Sequence, residues 1–374
     1  MLYRRFGKTN LLLSVFSLGT MRCLSSETIF RQTIEQAIYL GINHFETAKG
    51  YGHSERYLGQ FLVQQSLICR EKLYITTKLP PTPDPDQMDQ WLDESLRCLQ
   101  VDYLDCLAIH GINTWEHLRW LTQPNGCWTT LEKALDDGRV RHLGFSTHGS
   151  LDLILETIET DLFEFVNLHY YYFFQRNAPA IILAAQRNLG IFIISPGDKG
   201  GCLYTPPSRL RRLCEPFSPL ELTYRFLLSD HRITTLSVGA ANPKELACLP
   251  ESDVVPLTLS EIEVFQRLET HIEITLGSDY CRQCYQCLPC PETINIPEAL
   301  RLRNLAVAYD MIDFAKYRYK MFGNAAHWFP GNQCSYCNEC GDCLPRCPEK
   351  LNIPKLLQDT HQRLQGLPRR RLWE

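Results

Sequence analysis

The 374-residue sequence contains no apolar run near the ~18 residues that a bilayer-spanning helix requires, which excludes a helical membrane protein. It has no large charge excess of either sign. Its 38 Lys and Arg face 42 Asp and Glu, for a formal net charge of −4. That balance excludes a strongly basic nucleic-acid binder. No G-x-G-x-x-G follows the first apolar run and no P-loop occurs, which argues against a doubly wound dinucleotide fold and a P-loop nucleotide enzyme. No solenoid repeat is visible. Hydrophobic residues (44%) and charged residues (21%) are in globular proportion, and the length fits one or two domains.

Cysteine is what the sequence has in excess. There are 17, and nine of them lie between Cys281 and Cys347. Near the N-terminus, Arg4-Arg5, the apolar stretch 11–18 and Cys23 superficially resemble a twin-arginine or lipoprotein signal. No small-residue cleavage site precedes Cys23, so the expected structure is a hairpin turning at Gly7-Lys8-Thr9-Asn10 and leading into a strand at 15–19. A cytoplasmic location is therefore expected, and there clustered cysteines are more often metal ligands than disulfides.

The clustered cysteines form two runs. The first is Cys281-x2-Cys284-x2-Cys287-x2-Cys290-Pro291, and the second is Cys337-x2-Cys340-x2-Cys343-x3-Cys347-Pro348. Three thiolates at two-residue spacing reach adjacent corners of one iron–sulfur cube. The fourth cysteine, with its proline, ligates the other cluster. The spacing predicts one [4Fe–4S] cluster on Cys281, Cys284, Cys287 and Cys347, and a second on Cys290, Cys337, Cys340 and Cys343. Zinc is the rival metal, but it usually joins two distant C-x2-C knuckles. Cys334 stands one spacing before Cys337 and leaves a shifted register open. The segment 296–322 between the runs has a helical pattern with Pro297 in its first turn.

Upstream, short apolar runs alternate with amphipathic stretches. Strands are expected at 15–19, 41–45, 73–77, 105–110, 142–145, 164–168, 190–194 and 235–239, with helices behind them. Eight strand–helix units in about 235 residues predict a (β/α)8 TIM barrel. A further helix at 260–276, capped by Ser260 with Glu263 three residues on, ends it. The expected domains are residues 1–276, the barrel, and 277–374, a small and mainly helical two-cluster ferredoxin-like domain. The aromatic run 170–174 reads either as packing or as one wall of a substrate pocket. The basic tail Arg369-Arg370-Arg371 reads as solvated.

Barrel chemistry sits at the C-terminal ends of strands. Those ends carry Glu46, Tyr51, Lys78 and His110. A phenol of pKa near 10 is a poor acid at neutral pH. A lysine cation lowers that pKa, a buried carboxylate holds the lysine charged, and a histidine can orient a carbonyl.

These residues also carry a resemblance. The stretch Gly41-Ile42-Asn43-His44-Phe45-Glu46-Thr47-Ala48-x-Gly50-Tyr51-Gly52-x-Ser54-Glu55 resembles the aldo-keto reductase signature. Ile75-Thr76-Thr77-Lys78, Ile109-His110, Gly144-Phe145-Ser146-Thr147-His148 and Lys199-Gly200-Gly201 agree with it in order and spacing. The cysteine region resembles the dicluster module fused to some members. The resemblance implies Tyr51 as general acid, Lys78 as its pKa modifier and His110 as carbonyl orienter, with Glu46 in place of the family's aspartate. It implies Ser146 and Asn167 on a nicotinamide carboxamide and the backbone at Gly200 and Gly201 on the pyrophosphate. The loop of Gly239 to Lys244 lacks the family's arginine for the 2′-phosphate of NADPH, and Lys244 would be its point-charge substitute.

The expected function is an oxidoreductase that couples nicotinamide-linked carbonyl or alcohol chemistry to one-electron transfer through two [4Fe–4S] clusters. Its cofactors are the clusters and NADP(H) or NAD(H), with a flavin left open. Its partners are a small-molecule carbonyl or alcohol and a one-electron protein carrier. The alternative is an electron-relay or redox-sensing protein whose barrel binds a ligand and catalyses little.

Overall fold

The computed structural model describes residues 1–64, 70–197, 202–249 and 256–367. A two-stranded antiparallel hairpin comes first, β1 (Tyr3–Arg5) and β2 (Leu12–Ser14). Eight parallel strands follow. They are β3 (Phe16–Gly19), β4 (His44–Glu46), β5 (Tyr74–Leu79), β6 (Leu104–His110), β7 (Val140–Thr147), β8 (Phe165–His169), β9 (Gly190–Ile194) and β10 (Thr235–Val238). They close in chain order, with β10 pairing back onto β3. The predicted (β/α)8 barrel is therefore the observed fold.

The helices are α1 (Glu27–Tyr39), α2 (Ser54–Gln64), α3 (Pro85–Leu99), α4 (Trp115–Thr122), α5 (Cys127–Asp136), α6 (Leu151–Glu159), α7 (Ala178–Gln186), α8 (Ser208–Cys214), α9 (Pro219–Leu228), α10 (Leu259–Leu276), α11 (Ile296–Tyr309), α12 (Ile312–Tyr319) and α13 (Ile353–Leu364). Local chemistry sets their starts. The side chains of Ser26, Asp84 and Ser150 accept hydrogen bonds from the first-turn N–H groups of α1, α3 and α6. The capping box of α10 is Thr258 with Glu261, not Ser260 with Glu263. The helical pattern over 296–322 is realised as two helices, α11 and α12. Asp310 takes a left-handed conformation (φ 58°) and ends α11, a geometry that aspartate tolerates better than most residues.

Two compact units result: residues 1–201 with 223–256, and residues 202–222 with 257–374. The first unit holds the barrel. The second holds α8 and α10 to α13 together with both cysteine runs, so it groups α10 with the cysteine region, whereas the sequence-based division at 276 placed that helix in the barrel.

The hairpin packs against the N-terminal side of the barrel strands. Phe6 and Leu13 are buried with Cys106, Ala108, Phe165 and Phe192, and the Phe6 and Phe165 rings lie 5.2 Å apart. Backbones meet closely here. A Cβ on Gly190 would fall 2.3 Å from the Phe6 ring.

Alternate residues of each strand face the barrel interior. One interior layer is polar. His44 Nδ1 lies 2.6 Å from Ser17 Oγ and His44 Nε2 lies 2.7 Å from Thr76 Oγ1. Ser17 Oγ in turn lies 2.7 Å from Thr235 Oγ1. Burial is the main reason that the His44 pKa falls to about 3, and the Lys78 cation adds to it. The folded state thus takes up this proton only near pH 3, whereas the unfolded chain takes it up near pH 6.5. Stability is intact above pH 6.5 and falls as the pH drops between those values, by about 1.4 kcal/mol per unit. His44→Gln should flatten this slope. Denaturation midpoints of both proteins from pH 7 to pH 4 measure it, and parallel curves would show that His44 is not the group responsible.

Candidate functional site

Strand register brings the ionisable residues to one level. Glu46 on β4 pairs with Thr76 on β5, and Lys78 lies two residues on, facing the same way. His110 at the end of β6 pairs with Ser146 on β7, and Ser146 pairs with Asn167 on β8. Tyr51 lies in the loop between β4 and α2.

The geometry is that of one connected group. Lys78 Nζ donates to Tyr51 Oη at 3.2 Å and to the Thr47 carbonyl at 3.2 Å. It also forms a close ion pair with Glu46 Oε1. Lys78 and Glu46 are only 1% and 3% exposed, so the pair is shielded from solvent. The Tyr51 ring stands edge-on to His110 with centroids 5.6 Å apart.

The longer arm of Glu46 has a structural use. While Oε1 meets Lys78, Oε2 accepts a hydrogen bond from Ser237 Oγ on β10 at 2.9 Å. Room for this comes from Gly19. A Cβ there would lie 2.5 Å from Ser237 Oγ and 3.2 Å from Glu46 Oε2. Ser237 was missed in the sequence, although its alternation with inward-facing Thr235 was a usable signal.

Burial opposes the charge on Lys78, but Glu46 and Tyr51 outweigh it and raise the lysine pKa. At Tyr51 burial wins. It raises the phenol pKa, Lys78 pulls the other way, and Glu46 adds to the rise. This corrects the expectation of a lowered phenol: Lys78 offsets part of the burial effect and does not reverse it. Tyr51 is therefore firmly protonated at neutral pH.

The other expected site residues are placed as follows. Ser146 accepts from the Gly111 N–H at 3.0 Å and is buried. Asn167 is fully buried, and among the described residues its Oδ1 and Nδ2 have no hydrogen-bond partner. An orphaned buried amide is costly, and both its donor and its acceptor suit a carboxamide. Gly200 and Gly201 lie outside the described residues. Gly239 follows β10 and its carbonyl accepts from Arg22 Nη1 at 2.5 Å. Lys244 is exposed. The guanidinium on this loop is thus that of Arg22, which reaches it from the loop after β3. Sequence separation hid that contact. The aromatic run is mainly packing: Tyr171 and Phe174 both stack on His169, with ring centroids 5.3 and 4.6 Å away.

In the second unit, Cys290, Cys337, Cys340 and Cys343 line one small cavity, with Glu292, Gly341 and Asp342 among its other walls. The Cys281 thiol feels the charge of Cys284 and Cys347, and the Cys287 thiol that of Cys281, Cys284 and Cys343. The runs are tied together. Arg346 donates to the Pro289 carbonyl at 3.0 Å, and Asn338 Nδ2 donates to Glu292 Oε1 at 2.8 Å. Left-handed backbone at Gln283, Tyr285, Glu339 and Gly341 recurs through both runs, a feature of the N–H nests found at many iron–sulfur sites.

Cys334 does not line the cavity. It is 3% exposed and hydrogen-bonds Tyr319, whose hydroxyl also lies 2.8 Å from His361 Nδ1. Among the described residues, no group of three or more His, Cys, Asp or Glu side chains is placed to hold a single metal ion, and no helix is long and apolar enough to cross a membrane.

A model of the aldo/keto reductase family matches residues 16–205, a span that stops short of the cysteine runs. An uncharacterized oxidoreductase, YrpG, of Bacillus subtilis is 27% identical over 230 residues, 54% of this chain and 67% of its own. Aldo/keto reductase slr0942 of Synechocystis is 29% identical over 218 residues, 53% of this chain and 64% of its own. The 7-acetyl-epi-neemfruitin B aldo-keto reductase of Melia azedarach is 30% identical over 167 residues, 40% of this chain and 52% of its own. The chain thus spans about half to two thirds of the length of these relatives. The holo form of aldo-keto reductase AKR11C1 from Bacillus halodurans superposes with a TM-score of 0.62 at 21% identity, covering 71% of this chain and 96% of that one. That likeness shows the barrel fold.

Glu46→Gln should leave the buried Lys78 ammonium without its anion. The expected cost is about 3–5 kcal/mol, read as a fall in denaturant midpoint. An unchanged midpoint would mean that the pair is not what keeps Lys78 charged.

Proposed function

The chain belongs to the aldo/keto reductase family, and from that premise we propose that it is an oxidoreductase of small carbonyl or alcohol substrates whose second unit carries two [4Fe–4S] clusters. The observation that carries the barrel reading is the buried chain Glu46–Lys78–Tyr51 ending at a phenol beside His110.

In this reading His110 orients the substrate oxygen and Tyr51 Oη gives it a proton. Lys78 stabilises the phenolate that proton transfer leaves, and Glu46 keeps Lys78 charged and aimed. A bound nicotinamide supplies the hydride. Ser146 and Asn167 would hold its carboxamide, and the orphaned amide of Asn167 supports that assignment. The raised phenol pKa makes Tyr51 a proton reservoir that loses its proton only to a developing alkoxide.

For the second unit, the shared cavity of Cys290, Cys337, Cys340 and Cys343 supports the assigned register, in which one run lends its last cysteine to the other. Cys281, Cys284, Cys287 and Cys347 would hold the other cluster. Bound clusters supply one-electron transfer, to or from a protein carrier. Burial raises the Cys281 thiol to about 11 and the Cys287 thiol to about 12. The metal-free thiols therefore keep their protons, and these must leave as metal binds.

Two experiments test these assignments. Tyr51→Phe should lower aldehyde reduction by about 10²- to 10⁴-fold while nucleotide affinity holds. Equal rates in wild type and variant would remove Tyr51 as the acid, and no turnover in either would favour the electron-relay alternative. Anaerobic purification should yield about eight iron and eight sulfide per chain. Cys340→Ser should lose roughly half of that and Cys334→Ser none. Stoichiometric zinc in place of iron would overturn the cluster assignment.

A further inference from the structure

In (β/α)8 barrels the loops after the last two strands frequently hold a ligand's phosphate. On this chain the loop after β10 already contains an anion of its own. Glu245 Oε2 accepts from the Ala241 backbone N–H at 3.0 Å. The same oxygen is 2.9 Å from Arg22 Nη1, and Oε1 is 3.4 Å from Nη2, so the guanidinium grips the carboxylate with both nitrogens. Arg22 Nη1 also donates to the Gly239 carbonyl at 2.5 Å. The pair ties the loop after the first barrel strand to the loop after the last. Its side chains are 23% and 21% exposed, largely desolvated yet reachable from outside.

A backbone N–H and an arginine fork are the donors that a phosphate would use. Here a carboxylate of the chain takes both. An incoming phosphate would meet Glu245 as a like charge and would have to displace it from Arg22. A ribose hydroxyl meets the opposite situation, since it can donate to the same carboxylate. Acidic side chains and arginines divide the two nicotinamide dinucleotides in this way on other folds.

We propose that Glu245, held by Arg22 and the Ala241 N–H, is a specificity-determining residue that makes the barrel select NADH over NADPH. This rests on the nicotinamide reading above and adds to it the identity of the dinucleotide.

Isothermal titration calorimetry on the full-length, anaerobically purified protein tests it, with NADH and NADPH as probes. Wild type should bind NADH at least tenfold more tightly. Glu245→Gln should raise NADPH affinity at least tenfold, whereas Glu245→Asp, which keeps the charge, should retain the NADH preference. Equal or tighter NADPH binding by wild type overturns the proposal whether or not the variants fold. So does an unmoved affinity ratio in a Glu245→Gln protein with wild-type circular dichroism. Binding of neither dinucleotide would remove the nicotinamide reading itself and this proposal with it, a result distinct from binding both without preference.

Discussion

The barrel site depends on one buried ion pair. Lys78 is almost wholly enclosed, and an enclosed ammonium without a partner would lose its proton. Glu46 prevents that, and its second oxygen is held by Ser237, so the carboxylate is fixed at both ends. The charge on Lys78 can therefore be spent on the Tyr51 hydroxyl. The pair fixes more than the site. Gly19 has to lack a side chain, and β3, β4, β5 and β10 have to keep their register, or the carboxylate no longer reaches across from Lys78 to Ser237. The polar layer of Ser17, His44, Thr76 and Thr235 lies one interior step along the same strands. That layer is uncharged, which leaves Lys78 and Glu46 to neutralise each other.

The second unit is organised by a different constraint. Its cysteine runs form little regular structure and are held by cross-ties at Arg346 and Asn338 and by the helices around them. Asn304 on α11 donates to the Cys281 carbonyl at 2.9 Å, so a helix also anchors the start of the first run. Cys334 is set apart from the other clustered cysteines by packing. It continues the two-residue spacing, but it is buried against Tyr319 and is not among the residues that line the cavity of its neighbours. In the proposed function, hydride chemistry in one unit and one-electron chemistry in the other are performed by groups with no residue in common.

The sequence by itself determined the order and type of most elements and the ladder of ionisable residues at strand ends, and it made the two cysteine runs visible. These are local or periodic properties. Alternation marks an inward face, the two-residue cysteine spacing is read directly along the chain, and the signature around Tyr51 is contiguous. Tertiary structure decided what depends on contacts distant along the chain. Arg22 reaches Glu245 across more than two hundred residues, and no spacing rule connects them. Ser237 receives the extra methylene of Glu46 only because the barrel closes β10 onto β3. The net direction of the Tyr51 pKa also waited on the fold. Sequence named the charges that act on the phenol, but only burial fixed which effect was larger.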